Sequence, residues 1–183
     1  MNANDVLIDI LEDNRRRLWR LFESVGDECV FWKPEAEANS IAVTAWHMAR
    51  IFDVFLTLQA KGGASEEECW FRHGWAQLTG YDPRGLGLNG WGMLTGYTQR
   101  EVAAIPSLTR EQILGYLNDV YDTVKEHLMN TPIEKLLMPG SGFEGKYSQY
   151  QCIQMPLLDN VRHLGEIFAI KTRWERMKYH RWG

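Results

Sequence analysis

The chain has 183 residues and a formal charge of −4, from 20 Lys and Arg against 24 Asp and Glu. Its 45% apolar and 24% charged residues are the make-up of a globular domain; this excludes a disordered tail, a collagen-like repeat and a membrane protein, and the mild acidity argues against nucleic acid as a partner. At roughly 150 residues per domain the length predicts a single domain, 1–183, large enough to build a core without staples.

Four segments carry helical periodicity. The first runs from about Asn4 to Val25, with Leu7, Leu11, Leu18, Leu21 and Val25 on one face, Asn14 on the same stripe, and Asn2 or Asn4 placed to cap it. The second starts near Asn39 or Ser40 and runs to Ala60, where Gly62-Gly63 stops it; its inward stripe reads Thr44, His47, Met48, Ile51, Phe52, Phe55 and Leu58. The third opens on a capping box, Thr109-Arg110-Glu111-Gln112, and carries Ile113, Leu117, Val120, Tyr121, Val124 and Leu128 inward before Asn130-Thr131-Pro132 ends it. The fourth opens on Ser148-Gln149-Tyr150-Gln151 and extends to about Met177, with Cys152, Pro156, Asp159, His163, Ile167, Ile170 and Trp174 on its stripe. Pro156 inside this helix predicts a kink or a late start. Lys171, Arg173, Arg176, Lys178 and Arg181 read as a solvated last turn and tail.

These elements predict an all-α fold, an up-down-down-up four-helix bundle in which only residues 62–107 are long enough to link two parallel helices. That crossover is rich in aromatic and Gly residues. It predicts a short helix over 65–79 capped by Ser65 and a turn at Tyr81-Asp82-Pro83-Arg84-Gly85. It is either an insertion packing its own aromatics or a pocket wall, and in the second case Trp75 and Trp91 lie near the site. Cys29, Cys69 and Cys152 are odd in number, form no CxxC and follow no signal-like N-terminus. A reduced, cytoplasmic setting is expected, with each Cys a small core hydrophobe.

Three polar residues interrupt the inward stripes: His47, Asp159 and His163. The last two are four apart and share a helix face. With His47 from a facing helix they form a three-ligand metal site with open positions. The same spacing also suits a buried Asp159–His163 ion pair beside a satisfied core histidine. Glu166, one turn on, is a hydrogen-bond acceptor for His163 or a base; Gly165 is expected to permit close helix packing. His73 and His127 are expected at the surface, and Cys152 is too far from Asp159 to share an ion.

The run Asn39-Ser40-Ile41-Ala42-Val43-Thr44-Ala45-Trp46-His47-Met48, preceded by Trp32-Lys33-Pro34, resembles the DinB/YfiT-like family of metalloenzymes, as does Asp159-Asn160-Val161-Arg162-His163-Leu164-Gly165-Glu166-Ile167. The resemblance covers nearly all of the chain except the insertion. It implies the bundle with its long crossover and metal ligands at His47, Asp159 and His163, with Asp159 standing where the family commonly has His. It also implies a divalent metal (Zn, Ni, Fe or Mn), a low-molecular-weight thiol as co-substrate, a homodimer, and a small electrophile as substrate of an S-transferase or isomerase, with hydrolysis as the other outcome. The competing expectation is a metal-free bundle that binds a small ligand or a partner chain and catalyses nothing.

Overall fold

The structure is a computed structural model that describes residues 3–180. The chain is all-α: among the described residues no strand forms, only an isolated bridge between Pro139 and Ser148. Its helices are α1 (Ala3–Ser24), α2 (Asp27–Val30), α3 (Ile41–Val54), α4 (Cys69–Arg72), α5 (Trp75–Thr79), α6 (Gln99–Ala103), α7 (Arg110–Asn130), α8 (Ile133–Leu136) and α9 (Gln149–His180). The long helices pack together, α1 against α7 and α9, and α3 against the same two.

The expected stripes form the core. Leu11, Leu18, Met48, Phe52, Leu117, Val120, Cys152 and Ile167 are all buried where these helices meet, and the three cysteines are free and buried. Thr109 and Ser148 cap α7 and α9 as their boxes require: the backbone N–H of Gln112 and of Gln151 donates to the capping hydroxyl, and each Gln side chain accepts from the capping residue's own N–H. Asn4 is not a cap. It lies inside α1, and its amide donates to the carbonyls of Leu128 and Thr131, satisfying acceptors left over at the end of α7. Asn2 and Arg181 fall outside the described residues.

Three expectations are corrected. The helix starting near Ser40 is α-helical only to Val54 and continues as a π-helix over Phe55–Ala60. There the backbone of the 140–142 loop comes close: the N–H of Gly142 donates to the carbonyl of Gln59 at 2.9 Å, and a Cβ on Gly142 would lie 2.8 Å from the Gln59 Cα. Of the kink or late start expected at Pro156, the late start does not occur. α9 begins at Gln149 and runs through Pro156, which is buried. The short helix expected at 65–79 is broken into a 3-10 turn (Ser65–Glu67), α4 and α5, because Glu68 is extended and Gly74 takes φ +79°. Ser65 lies within the turn and does not cap a helix.

α3 has no solvent face. Every residue from Ile41 to Val54 except Val43 is buried, because the crossover covers the side that the other long helices leave open. The 20 residues Ile41–Ala60 are long and apolar enough to cross a membrane, contrary to the expectation that no segment would be, but 89% of that window is buried inside the fold. It is a core helix, and it carries His47, Arg50 and Asp53.

Candidate metal centre

α3 contributes His47; α9 contributes Asp159 and His163 on successive turns of one face. The fold brings the three together: Nε2 of His47 lies 3.3 Å from Oδ2 of Asp159, and Nε2 of His163 lies 3.3 Å from the same oxygen. The two imidazoles meet edge to face at 4.8 Å between centroids. One ligand atom from each residue falls within 4.8 Å of the other two. His47 forms the buried floor, whereas the side chains of Asp159 and His163 are 18% and 25% exposed, so the group is open to solvent on its α9 side.

Each residue is held by a second partner. The Nδ1–H of His47 donates to the main-chain carbonyl of Met93, in the crossover. A carbonyl can only accept, so this bond assigns the His47 proton to Nδ1. His163 uses Nδ1 in the same way, donating to Oε2 of Glu166 at 2.7 Å. Arg162 donates to the other Asp159 oxygen, Oδ1, at 2.8 Å. Both Nε2 atoms are therefore turned on one carboxylate oxygen, and a neutral imidazole would aim a lone pair at a negative charge. Either a proton or a cation must lie between them. Burial opposes the Asp159 charge, but bonds to His163 and His47 outweigh it and hold the carboxyl far below the usual range. His163 is pushed up to about 9 by its bonds to Asp159 and Glu166, which work against its burial. Its bond to His163 also lowers Glu166.

This donor set fits a divalent cation. Two imidazole nitrogens and a carboxylate oxygen converge, the outer nitrogen of each ring is anchored, and one side is open.

The other expected site residues are placed as follows. Glu166 is the acceptor for His163. Trp91 packs edge-on against Phe55 and Phe143 in a small cluster with Ile51, Met93 and Met155. Ile51 is one turn from His47 on α3, and Met155 one turn from Asp159 on α9, so Trp91 packs against the two helices that carry the group. Trp75 does not. Its indole donates to Asp119 at 2.8 Å and its ring lies over Gly115 and Tyr116 of α7. Gly165 permits no close packing within the chain; it is exposed, and a Cβ there would meet nothing within 4 Å. His73 is at the surface and pairs with Asp119. His127 is half-buried on α7 with its Nε2 unpartnered, and burial lowers its pKa.

Sequence reasoning missed Met93, which acts through a backbone atom, and Asn160, whose buried amide donates to the carbonyl of Met48 and to the Tyr121 hydroxyl. It also missed the fully buried Arg50, with Asp53, Glu68 and Tyr116 around it. Leu94, next to Met93, has φ +75°. A bulky side chain rarely takes that conformation, at a cost of about 1–3 kcal/mol, and it persists only where the surroundings impose it.

Two cavities flank the N-terminal turn of α3. One, of about 230 Å³, is lined by Lys33, Val43, Trp46, Ile105 and Ile113 among others. The other, of about 580 Å³, is lined by Lys33, Asn39, Leu94, Tyr97, Gln99 and Val102 among others; Leu94 is the neighbour in sequence of Met93, whose carbonyl accepts from His47. Neither is lined by His47, Asp159 or His163.

Comparison with known proteins gives the following. The sequence pattern of the DinB superfamily matches residues 10–167. No curated protein matches the chain. Among solved structures, a conserved protein from Enterococcus faecalis is similar at 14% identity, covering 94% of this chain and 97% of the other with a TM-score of 0.75. A likeness at that identity shows the fold.

Proposed function

The chain belongs to the DinB superfamily, and from that premise we propose that it is a divalent-metal-dependent enzyme whose ligands are His47, Asp159 and His163. The observation that carries this is the pair of Nε2 atoms aimed at Oδ2 of Asp159, with both Nδ1 atoms already bonded to acceptors. A divalent ion held there supplies a Lewis acid that lowers the pKa of a thiol or a water and so yields a nucleophile at neutral pH.

The chain's own residues prepare that chemistry. Glu166 and the Met93 carbonyl each hold the Nδ1 of one ring, so that both Nε2 atoms turn toward Oδ2 of Asp159. Arg162 occupies Oδ1 and leaves Oδ2 as the donor atom. The cluster of Phe55, Trp91 and Phe143 keeps the wall beside His47 dry. The cleft beside Leu94 takes the substrate, a small electrophile: Lys33, Asn39 and Gln99 offer polar handles, and Leu94, Tyr97 and Val102 an apolar surface. A low-molecular-weight thiol is the co-substrate of this reading, which makes the reaction an S-transfer or an isomerisation; water in its place makes it a hydrolysis. The test is a cobalt(II) titration of purified protein. One ion per chain is expected, and His47→Ala should abolish its uptake. A protein that takes no ion leaves the three residues as an ion-paired cluster in a metal-free bundle.

The same reading includes a single domain with the 62–107 insertion, the up-down-down-up helix order and a cytoplasmic setting. It also includes a homodimer. Val6 and Ile10 on α1 and Leu158, Val161 and Phe168 on α9 are exposed, with the bare Gly165 between the last two. Along α1 the first half is acidic (Asp9, Glu12, Asp13) and the second basic (Arg16, Arg17, Arg20). A two-fold axis across this face would set the acidic half of each copy against the basic half of the other.

A further inference from the structure

We propose that Arg50 is a positioning residue for His47, acting through the crossover backbone: its guanidinium holds the carbonyls of Trp91 and Gly92, and so sets the Met93 carbonyl on Nδ1 of His47. The proposal rests on the reading of His47 as a metal ligand.

Arg50 lies three residues after His47 on α3 and is fully buried. Its charge is met by Glu68, with Nη1 to Oε2 at 2.7 Å. Asp53 is 3.5 Å from the same nitrogen, but its oxygens are otherwise engaged: Oδ1 accepts from the N–H of Cys69, and Oδ2 from the N–H of Trp70 and the hydroxyl of Tyr116. The remaining edge of the guanidinium faces the crossover. Nε donates to the carbonyl of Gly92 at 3.1 Å and Nη2 to that of Trp91 at 3.2 Å. The next carbonyl in the chain is that of Met93, which accepts from His47.

This stretch of backbone passes through two left-handed residues. Gly92 has φ +63°, and a Cβ there would lie 2.2 Å from the carbonyl oxygen of Pro83, so no other residue fits without a shift. Two residues on, Leu94 is also in the left-handed region, at φ +75°. Backbone bonds from Gly92 to Leu86 and from Leu88 to Thr95 hold the two flanks. Across the middle, the grip on two successive carbonyls is that of Arg50. A planar fork with five donors can serve Glu68 on one side and two carbonyls on the other; an ammonium group can match the charge but not both edges. A buried ion pair is by itself weak support for stability, and here it orients a third group.

The experiment measures cobalt(II) and zinc(II) affinity by competition with a chromophoric chelator, together with the ring ¹⁵N shifts of His47. Wild type should bind one ion and, without it, show His47 protonated at Nδ1. Arg50→Lys, checked for folding by circular dichroism, should bind 10–100-fold more weakly, the usual effect of losing a ligand's outer partner, and its His47 tautomer should become mixed. Gly92→Ala displaces the same backbone while leaving the charge network intact, and should give the same two changes. Trp75→Phe, which removes the indole bond to Asp119 and keeps an aromatic ring against Tyr116, should change neither. If Arg50→Lys does not fold, Gly92→Ala decides. Wild-type affinity and tautomer in the folded variants overturn the proposal while the metal reading stands. A wild type that binds no ion overturns both.

Discussion

The amide of Asn160 donates to the main-chain carbonyl of Met48 at 3.1 Å, one residue further along each helix than the Asp159–His47 pair. The same nitrogen reaches the buried Tyr121 hydroxyl at 3.0 Å, so one side chain joins α3, α7 and α9. The register between α3 and α9 is what brings His47 and Asp159 to one point, and Asn160 pins it. Asn160→Leu should therefore lower stability by about 1–3 kcal/mol, since it leaves the Tyr121 hydroxyl buried without a partner and removes the second of two bonds to the Met48 carbonyl. Chemical denaturation checks the stability, and a cobalt(II) titration of the folded fraction should show weakened binding.

Asp159 and His163 are on adjacent turns of one helix, so changing the ligand type need not change the geometry. Asp159→His should keep the metal, because a ring on the same turn also reaches the position of Oδ2. Asp159→Leu should lose it, with affinity falling by far more than a surface substitution gives. Elemental analysis of the two purified variants decides. A leucine variant that still carries a full equivalent would remove Asp159 from the ligand set.

How much of this the sequence announced follows from which atoms do the work. His47, Asp159 and His163 were readable because they break apolar stripes at helical spacing. Glu166 was readable because it follows His163 by three residues. The Met93 carbonyl was not, since any residue carries one and only the tertiary path of the crossover brings it to His47. Arg50 and Glu68 look like solvated charges until the crossover folds over α3 and buries both. Gly165 misled for the opposite reason: a glycine within a helix signals close approach, but its own chain supplies no neighbour there. The break at Glu68 was hidden because three successive glutamates resemble a helix's first turn, while the third is drawn inward to Arg50.

The pH response of the metal-free protein follows from the same trio. His163 rises from 6.5 to about 9 on folding. A raised histidine stabilises the fold fully below its unfolded value and loses that contribution as pH climbs from 6.5 through about 9. Asp159 is depressed, so its contribution is present above its unfolded value of 3.8 and is lost on acidification. Stability should thus fall by about 1–2 kcal/mol between neutral and mildly alkaline pH, allowing for partial solvent screening, and His163→Gln should flatten that slope. Metal affinity should move the other way, rising with pH across the same window as the ion displaces the His163 proton. Melting curves and chelator competition at several pH values read the two trends.

Gly165 and Phe168 test the proposed pairing of copies. In an isolated chain, Gly165→Ala should stabilise α9 by about 0.5–1 kcal/mol, since Gly is the poorer helix former and the new methyl group meets nothing. If a second copy lies across this row, the methyl group and, more strongly, Phe168→Glu should weaken association. Sedimentation of wild type as a dimer, with Phe168→Glu a monomer of unchanged helicity, is the expected result. A wild type that stays monomeric at micromolar concentration counts against the pairing.

The two crossover tryptophans should now separate cleanly. Trp75 gives its indole to Asp119 and its face to Tyr116, so Trp75→Ala should lower the melting temperature and leave metal content and substrate affinity unchanged. Trp91 packs with Phe55 and Phe143, and the peptide after it leads through Gly92 to the carbonyl that holds His47. Trp91→Ala removes the ring but keeps the carbonyl that Arg50 grips, so metal content should remain near one per chain. Stability should drop towards the roughly 3–5 kcal/mol typical of a large aromatic lost from a packed cluster, somewhat less because Trp91 is only half-buried. Water admitted beside His47 should weaken every charge interaction in the group, so turnover or ligand binding should fall at unchanged metal content. Measuring metal content, melting temperature and ligand affinity on one Trp91→Ala sample distinguishes the outcomes: stability lost with affinity intact would make the cluster packing alone, and would leave the cleft beside Leu94 as the whole of the substrate's surroundings.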